Sequence, residues 1–282
     1  MNAILLAHGP LRERVSAALT GFVYSNGGVI VAHDQYVDQE RQRYFTRLEW
    51  RLDGFKIPRG DLADRLDEAL RPFELRSDLF FSDVVPRIAL FVSNLSHCLY
   101  DILGRWRSGE WRVDVPLVVS NHGGLADVAR RFDVEFREFP ITPDTKSDQE
   151  RREIDLLRQK GVELVVLARY MQVVGHDLVA AFPDRILNIH HAFLPAFPGA
   201  KPYHAAYRRG VKIIGATSHY VTADLDAGPI VEQDVIRVSH ATPVDEMIRL
   251  GRDLEKVVLA RAVWMHLQRR VIVDEGRTVI FQ

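Results

Sequence analysis

The sequence has one cysteine, no long apolar run and almost no net charge, and each of these absences excludes a class of protein. Cys98 by itself cannot form an intrachain disulfide or a cysteine metal site, so we expect a reducing compartment. No apolar run approaches the roughly 18 residues of a membrane helix, and the first seven residues are too short and uncharged for a signal peptide. A net charge of -1 gives no general attraction to nucleic acid or to an anionic membrane. We therefore predict a cytoplasmic protein without nucleic-acid or membrane partners.

The composition is that of a globular protein, with 47% hydrophobic and 27% charged residues. A length of 282 residues allows one large domain or two ordinary ones. Over residues 1–81 the apolar spacing predicts the order β-α-β-β-α-β, a ferredoxin-like unit. The segments are Ile4–Ala7, Arg14–Tyr24, Val29–Val37, Tyr44–Leu52, a helix with Leu62, Leu66 and Leu70 on one face, and Phe73–Leu79. Residues 82–86 are predicted to be a linker.

Beyond the linker, residues 87–282 are predicted to form a second α/β domain. Apolar runs alternate with helical patterns there, as expected for an open, mostly parallel sheet covered on both faces. The predicted strands are Arg87–Val92, Val115–Ser120, Val134–Phe139, Glu163–Ala168, Ile186–Ile189, Ile213–Tyr220 and an edge strand Ile230–Val238. A long terminal helix is predicted over Met247–Leu267.

Three chemically active side chains lie within the stretch 186–230. Asn188 and His190 are two residues apart at the end of one predicted strand, so they face the same side. His219 ends the next strand, and Asp226 lies in a loop that Gly228 and its following proline tighten. Ligands of such sheets bind beyond the carboxyl ends of the strands, so we expect these groups to meet there.

Each of these residues also has an ordinary structural interpretation. An asparagine at a strand end is often a cap, a histidine is often packed and hydrogen-bonded, and an aspartate before glycine often forms a turn. The combination, separated by a Pro/Gly-rich loop, is more specific than any member of it.

The combination resembles a known family. Asn-Ile-His followed by a Leu-Pro loop, then His-x6-Asp-x-Gly-Pro-Ile, is similar to the formyltetrahydrofolate-dependent formyl transferases and hydrolases, and the closest resemblance is to formyltetrahydrofolate deformylases. The strings that carry it are LNIHHAFLPAFPGAKPY (187–203), VKIIGATSHY (211–220) and GRDLE (251–255). The resemblance covers the whole chain and implies an N-terminal ACT domain, itself a ferredoxin-like βαββαβ unit, followed by a Rossmann-like formyltransferase fold.

The resemblance implies hydrolysis of 10-formyltetrahydrofolate to tetrahydrofolate and formate, which would supply purine synthesis and balance the one-carbon folate pools. It assigns catalysis to Asn188, His190 and Asp226, without a cofactor. Asn188 and a protonated His190 would stabilise the oxyanion, and Asp226 would keep His190 charged and accept a proton from water. Which group protonates the leaving nitrogen stays open.

The same resemblance implies a folate pocket with backbone groups and apolar walls. Its matching residues are Tyr170, Met171, Gln172, Val174, Ile186, His219, Val221 and Thr222. His97 is expected to line the pocket, whereas Cys98 could equally be packed in the core. Lys201 could contact the glutamate tail of folate or simply be solvated.

A transferase of this superfamily would need a second pocket for its amine, and in the glycinamide ribonucleotide enzymes that pocket begins with a glycine-rich phosphate loop. The equivalent loop here, Ser93–Leu99, has no glycine. This favours water as the acceptor. A non-catalytic amino-acid-responsive binding protein is the other alternative, and the intact trio argues against it.

The N-terminal domain departs from its family in the loop after the first strand. Leu11 and Arg14 stand where the family has the Asp and Gly that serve an amino-acid ligand, so we expect assembly as a homo-oligomer with weak or absent regulation. No metal is expected, because His190 and His191 are neighbours in a strand and should face opposite sides.

Overall fold

The computed structural model describes residues 1–195 and 202–282. These residues divide into two compact units, Met1–Val85 together with Gln268–Gln282, and Pro86–Leu267. The boundary between Val85 and Pro86 falls inside the predicted linker. No helix within the two described ranges is both long enough and apolar enough to span a bilayer.

The first unit contains the predicted ferredoxin-like fold. Its elements are β1 (Asn2–Pro10), α1 (Val15–Ser25), β2 (Val29–Asp38), β3 (Arg43–Arg51), α2 (Leu62–Leu70) and β4 (Arg76–Phe81). The four strands form an antiparallel sheet in the order β2-β3-β1-β4. Leu62, Leu66 and Leu70 recur every four residues, so one face of α2 enters the core formed with β1 and β3.

Two local features of this unit differ from the sequence interpretation. The last strand begins at Arg76 instead of Phe73, because Arg71–Phe73 forms a 3-10 turn that Glu74 ends in a left-handed conformation (φ 58°). Arg14, at the position where the family pattern has glycine, also has a positive φ of 67°. The backbone shape that normally favours glycine is therefore kept by an exposed arginine.

The second unit is a layered α/β fold. Its elements are β5 (Arg87–Val92), α3 (His97–Arg107), β6 (Asp114–Ser120), α4 (Ala126–Arg131), β7 (Glu135–Glu138), α5 (Lys146–Gln159), β8 (Leu164–Leu167), α6 (His176–Ala181), β9 (Ile186–His190), α7 (Pro202–Arg209), β10 (Ile213–Tyr220), β11 (Ile230–Arg237) and α8 (Val244–Leu267). Successive residues of β5 from Ile88 to Val92 are all buried. Both faces of the sheet are therefore covered, which explains the continuous apolar runs.

The seven strands follow the order β11-β10-β9-β8-β5-β6-β7. The pairings from β9 to β7 are parallel, which confirms the mostly parallel sheet, whereas β10 and β11 are antiparallel additions. The carboxyl end of β10 therefore does not lie beside that of β9, contrary to the expectation for His219. The register nevertheless pairs His219 with Asn188 and Thr217 with His190.

The final residues require a correction to the predicted range 87–282. A hairpin of β12 (Val271–Asp274) and β13 (Arg277–Ile280) belongs to the first unit. Its Ile272 and the nearby Phe281 pack against Leu6 and Phe45 of the ferredoxin-like sheet. The apolar side chains of this hairpin are buried there, and the second unit ends at Leu267.

Candidate active site

Strand β9 presents the first two members of the predicted trio on one side. Asn188 is half-buried and His190 is buried, and the residue between them, Ile189, points to the other face of the sheet. The neighbouring strand β10 then places His219 directly across from Asn188. Polar side chains of two neighbouring strands thus lie together.

Asp226 reaches this group from the loop between β10 and β11. Its backbone is left-handed (φ 55°), a conformation that aspartate tolerates better than most residues. Gly228 holds the loop close to β10, since a Cβ atom there would lie 1.8 Å from the Tyr220 carbonyl oxygen. The Asp226 carboxylate consequently lies 3.3 Å from Nδ1 of His190 and 3.6 Å from Nε2 of His219. The three residues predicted from sequence come together.

His219 contacts two members of the trio and is too buried, at 2% exposed, to face an open pocket. Its Nδ1 lies 2.9 Å from the Tyr220 carbonyl oxygen, to which it donates. The Asn188 amide then donates to Nε2 of His219 over 3.2 Å. His219 therefore orients Asn188 and leaves its second amide hydrogen available.

The surroundings of His190 favour the neutral form of its ring, whereas the role taken from the resemblance uses the protonated ring. Burial lowers the pKa of His190 below its ordinary value, Asp226 opposes that effect, and His219 and Arg169 add to it. Nδ1 faces Asp226, while the buried Nε2 has no hydrogen-bond partner among the described residues. With its proton on Nδ1, a neutral His190 presents the Nε2 lone pair as a base.

The predicted folate segments lie on either side of β9. The loop after β8 is held to β5 because the Met171 amide donates to Ser93 Oγ over 2.9 Å. Met171 is 56% exposed, whereas Tyr170 is buried with its ring edge-on to Phe91 at 5.3 Å. Gln172 and Val174 are half-buried in the same loop.

The other side of this region is supported from the core. The Ile186 side chain is fully buried, and its carbonyl accepts a 2.8 Å hydrogen bond from the Val221 amide. Val221 and Thr222 are half-buried next to the Asp226 loop. Lys201 lies outside the described residues.

A second buried polar group, here called the Glu255 cluster, consists of His97, Arg169, Tyr203 and Glu255. Glu255 accepts hydrogen bonds from His97 Nε2 (2.8 Å) and Tyr203 Oη (2.9 Å), and Arg169 Nε lies 3.4 Å from it. Burial raises the pKa of Glu255, but the His97 hydrogen bond and the Arg169 guanidinium outweigh burial and hold that pKa below its ordinary value. The sequence analysis noted only His97 as a site residue. The available signal was a glutamate on the core-facing side of α8, between Leu254 and Val258.

The thiol of Cys98 lies beside this cluster. The possible metal-ligand atoms of His97, Cys98 and Glu255 lie within 4.8 Å of one another. A metal would need the thiolate. Burial, followed by the charge of Glu255, raises the pKa of the Cys98 thiol well above its ordinary value. With Arg169 also beside Glu255, the group fits an ion-pair network better than a cation site.

His191 does not point away from His190 as predicted. The two rings lie 5.3 Å apart, because the chain leaves the β9 strand at His190 and turns. The His191 ring also lies 6.1 Å from that of Tyr203. Burial, and next the Arg169 charge, lower the pKa of His191 to about 4, so it is neutral at pH 7.

Comparisons with known proteins show which family this chain is similar to. The family model described as formyl transferase matches residues 86–263. A formyltetrahydrofolate deformylase from Synechocystis sp. is 50% identical over 281 residues, covering 100% of this chain and 99% of that protein. The crystal structure of a formyltetrahydrofolate deformylase from Pseudomonas syringae pv. tomato is 39% identical, with a TM-score of 0.97, covering 100% of this chain and 94% of that one.

A more distant structure is similar over part of the chain. Glycinamide ribonucleotide transformylase 1 from Symbiobacterium toebii is 31% identical, with a TM-score of 0.67, over 73% of this chain and 98% of its own. The family match and the full-length similarity lead to one assignment: the chain belongs to the formyl transferase family and, within it, to the formyltetrahydrofolate deformylases.

Proposed function

We propose that this chain hydrolyses 10-formyltetrahydrofolate to tetrahydrofolate and formate. The observation that carries the proposal is the meeting of Asn188, His190 and Asp226 around one small volume. Nε2 of His190 is buried there and has no hydrogen-bond partner within residues 1–195 and 202–282. The relatives that are similar over the whole chain bear the name of that activity.

Hydrolysis needs a group that stabilises negative charge on the formyl oxygen. Asn188 is suited to this because His219 takes one of its amide hydrogens and so fixes its orientation. A donor that is already oriented need not reorganise as the charge develops. Asn188 is therefore the first oxyanion donor.

The proton of the attacking water needs an acceptor. Neutral His190 can take it through Nε2 while its Nδ1 hydrogen points to Asp226. The nearby Asp226 carboxylate stabilises the imidazolium that results, and this ring becomes the second donor to the oxyanion. His190 can then return the proton, directly or through a water, to the nitrogen that leaves.

Folate is proposed to bind beside this group, between the loop after β8 and the loop after β10. Met171, Gln172, Val174, Val221 and Thr222 supply partly accessible surface there. Tyr170 and Ile186 support these loops from the core. A flat ring system with polar edges fits apolar walls and backbone groups.

Formyl transfer to an amine is the second candidate function, since a glycinamide ribonucleotide transformylase shares the fold. Formate release from 10-formyltetrahydrofolate in the absence of any amine distinguishes the two. We expect stoichiometric formate and tetrahydrofolate. Formylation of glycinamide ribonucleotide without formate release would contradict hydrolysis and support a transferase, and neither product would indicate a binding protein.

Substituting Asp226→Asn tests the roles within the trio. Without the carboxylate the imidazolium form of His190 loses its stabilising charge, so we expect kcat to fall about 10³-fold. Folate binding, measured by fluorescence titration, should be largely kept. Asp245→Asn, at an exposed carboxylate in the first turn of α8, is the control. Near-normal turnover of Asp226→Asn would contradict the mechanism.

We propose further that the reaction needs no metal or other cofactor, because protein groups can supply both charge stabilisation and proton transfer. Turnover should survive extensive treatment with a chelator. Loss of turnover that a divalent cation restores would overturn this.

The cytoplasm is the proposed location, supported by a single, buried cysteine. A homo-oligomer assembled through the first unit is also proposed. Strand β2 is an edge of its sheet and exposes Val29, Val31 and Tyr36, as a pairing edge would. Sedimentation analysis tests it, and a monomer would refute it. We expect turnover to respond weakly or not at all to added glycine or methionine.

A further inference from the structure

The Glu255 cluster is buried and is not used by the proposed mechanism. The side chains of His97, Arg169 and Glu255 are 14%, 10% and 2% exposed. Burying several charges is unfavourable compared with apolar packing unless the pairing is complete. A chain that needed only a stable core at this place could have used apolar residues, so the cluster calls for a role.

The cluster lies next to the catalytic group. The His191 ring is 5.3 Å from His190 on one side and 6.1 Å from Tyr203 on the other. Arg169 and Glu255 are near enough to act in opposite directions on the pKa of His190. Through the His191 ring the cluster therefore borders the catalytic group on one side, as a wall.

This wall is tightly packed. It joins the start of α3 through His97, the loop after β8 through Arg169, and the middle of α8 through Glu255. A Cβ atom at Gly251 of α8 would lie 2.0 Å from Tyr203 Oη, so a larger residue there would displace the tyrosine. His97 stands in the segment after β5 that contains no glycine. Its imidazole occupies space that a glycine in the same place would leave empty.

We propose that the Glu255 cluster selects the acceptor of the formyl group: its side chains occupy the space beside His190 that an amine would need, so that water alone reaches the formyl carbon. This inference rests on the proposed hydrolysis and names the residues that restrict it. The side chains of the cluster restrict access to the formyl carbon and do not take part in the bonds that form or break.

The two competing reactions differ only in the nucleophile. With water, oxygen bonds to the formyl carbon, the bond from that carbon to the folate nitrogen breaks, and a water proton ends on the nitrogen. With a primary amine, its nitrogen bonds to the carbon, the same bond breaks, and an amine proton ends on the folate nitrogen. The products are then tetrahydrofolate and a formamide in place of formate.

The test makes space in the Glu255 cluster by substitution and measures the two products. His97→Ala removes the ring and leaves Glu255 its contacts with Tyr203 and Arg169; His97→Asn is a second, more conservative reduction in size. Each full-length variant is given 10-formyltetrahydrofolate labelled in the formyl carbon together with free glycinamide. Formate and N-formylglycinamide are then quantified by mass spectrometry.

We expect N-formylglycinamide to be no more than a trace product of the wild type. The His97 variants should raise its share at least about tenfold, the range of discrimination that a pocket of fixed size provides. Two controls leave the volume unchanged at this place. Tyr203→Phe removes one hydrogen bond of the cluster, and His176→Ala removes an exposed histidine at the start of α6. Neither should shift the product ratio.

The ratio is a readout that a merely structural role would not change. Formate as the sole product from both His97 variants, with folate binding intact, overturns the inference and leaves hydrolysis standing. An equal rise of the formamide in Tyr203→Phe or His176→Ala also overturns it, since the effect would then not depend on volume. A wild type that releases no formate refutes the proposed function instead.

Discussion

Two glutamates of the second unit are equally buried, and their surroundings are opposite. Glu255 on α8 and Glu153 on α5 are each 1% exposed. Glu255 accepts hydrogen bonds from His97 and Tyr203 and faces Arg169. Neither carboxylate oxygen of Glu153 has a hydrogen-bond partner among the described residues that meets normal geometry, although the Tyr170 hydroxyl is close by.

The pKa values of the two carboxyls separate accordingly. The pKa of Glu255 is lowered, since its partners outweigh the effect of burial. Burial, then the charge of Glu150, raise the pKa of Glu153 to about 8, and Tyr170 offsets this only in part. The same residue type at the same depth is thus ionised beside the catalytic group and largely protonated beneath the loop after β8. Partners, and not depth, decide whether a buried carboxyl carries charge.

The largest effect should come from neutralising the paired glutamate. Glu255→Gln leaves the Arg169 guanidinium buried without its counter-charge, and we expect the free energy of unfolding to fall by about 3 kcal/mol. Urea denaturation at pH 7 measures this. Glu246→Gln, at a surface carboxylate of the same helix that pairs with Arg249, should change the midpoint little. Similar losses of unfolding free energy in both variants would show that the buried partners of Glu255 add no stability beyond that of a surface ion pair.

The unpaired glutamate should respond in the opposite direction. Between about pH 4.5 and pH 8 the folded chain keeps the Glu153 proton and the unfolded chain has released it. Stability therefore falls as pH rises through this window. Glu153→Gln removes the ionisation, and we expect it to be more stable than wild type by on the order of 2 kcal/mol at pH 9, where one pKa unit is worth about 1.4 kcal/mol.

The control for that variant is Asp155→Asn, at an exposed carboxylate two residues later on α5. It should keep the wild-type fall of stability with pH. Unfolding curves recorded from pH 5 to pH 9 give both slopes. A Glu153→Gln variant that is less stable than wild type at every pH would mean that Glu153 has stabilising partners besides Tyr170 in the folded chain.

The smallest effect is expected from the neighbour of Glu153. Tyr170 lowers the pKa of Glu153, so Tyr170→Phe should raise it further. We expect a loss of about 1 kcal/mol at pH 9.5, where the carboxylate is charged, and a smaller loss at pH 6, where it is protonated. Tyr207→Phe, at an exposed tyrosine of α7, is the control. Equal losses of stability at the two pH values would show that Tyr170 does not affect the ionisation of Glu153.

Much of the fold follows from local pattern. The period of four in Leu62, Leu66 and Leu70 and the continuous apolar run of β5 depend on neighbouring residues alone, and both predictions are confirmed. The hairpin Val271–Ile280 was missed, because its short apolar runs pack against residues some 190 to 275 positions earlier in the chain. Its place in the first unit depends on contacts with Leu6 and Phe45, which are far from it in sequence.

The candidate site also has a part that local sequence predicted and a part that it did not. The approach of Asn188, His190 and Asp226 was predicted from sequence, because strand alternation and a glycine-tightened loop are properties of adjacent residues. Their catalytic roles came from the family resemblance and stay a prediction. The direction of β10 was not predicted, since a run of apolar residues looks the same in an antiparallel strand and in a parallel one. That direction makes His219 the partner of Asn188 instead of a pocket residue.

By itself, then, the sequence determined the succession of strands in the two large sheets, the predicted trio and the family resemblance. The tertiary structure decided which charges meet. His97 and Glu255 are 158 residues apart, and Asn188 and His219 are 31 apart. The pKa of a buried group depends on distances of a few ångströms to such partners, and only the path of the folded chain sets those distances.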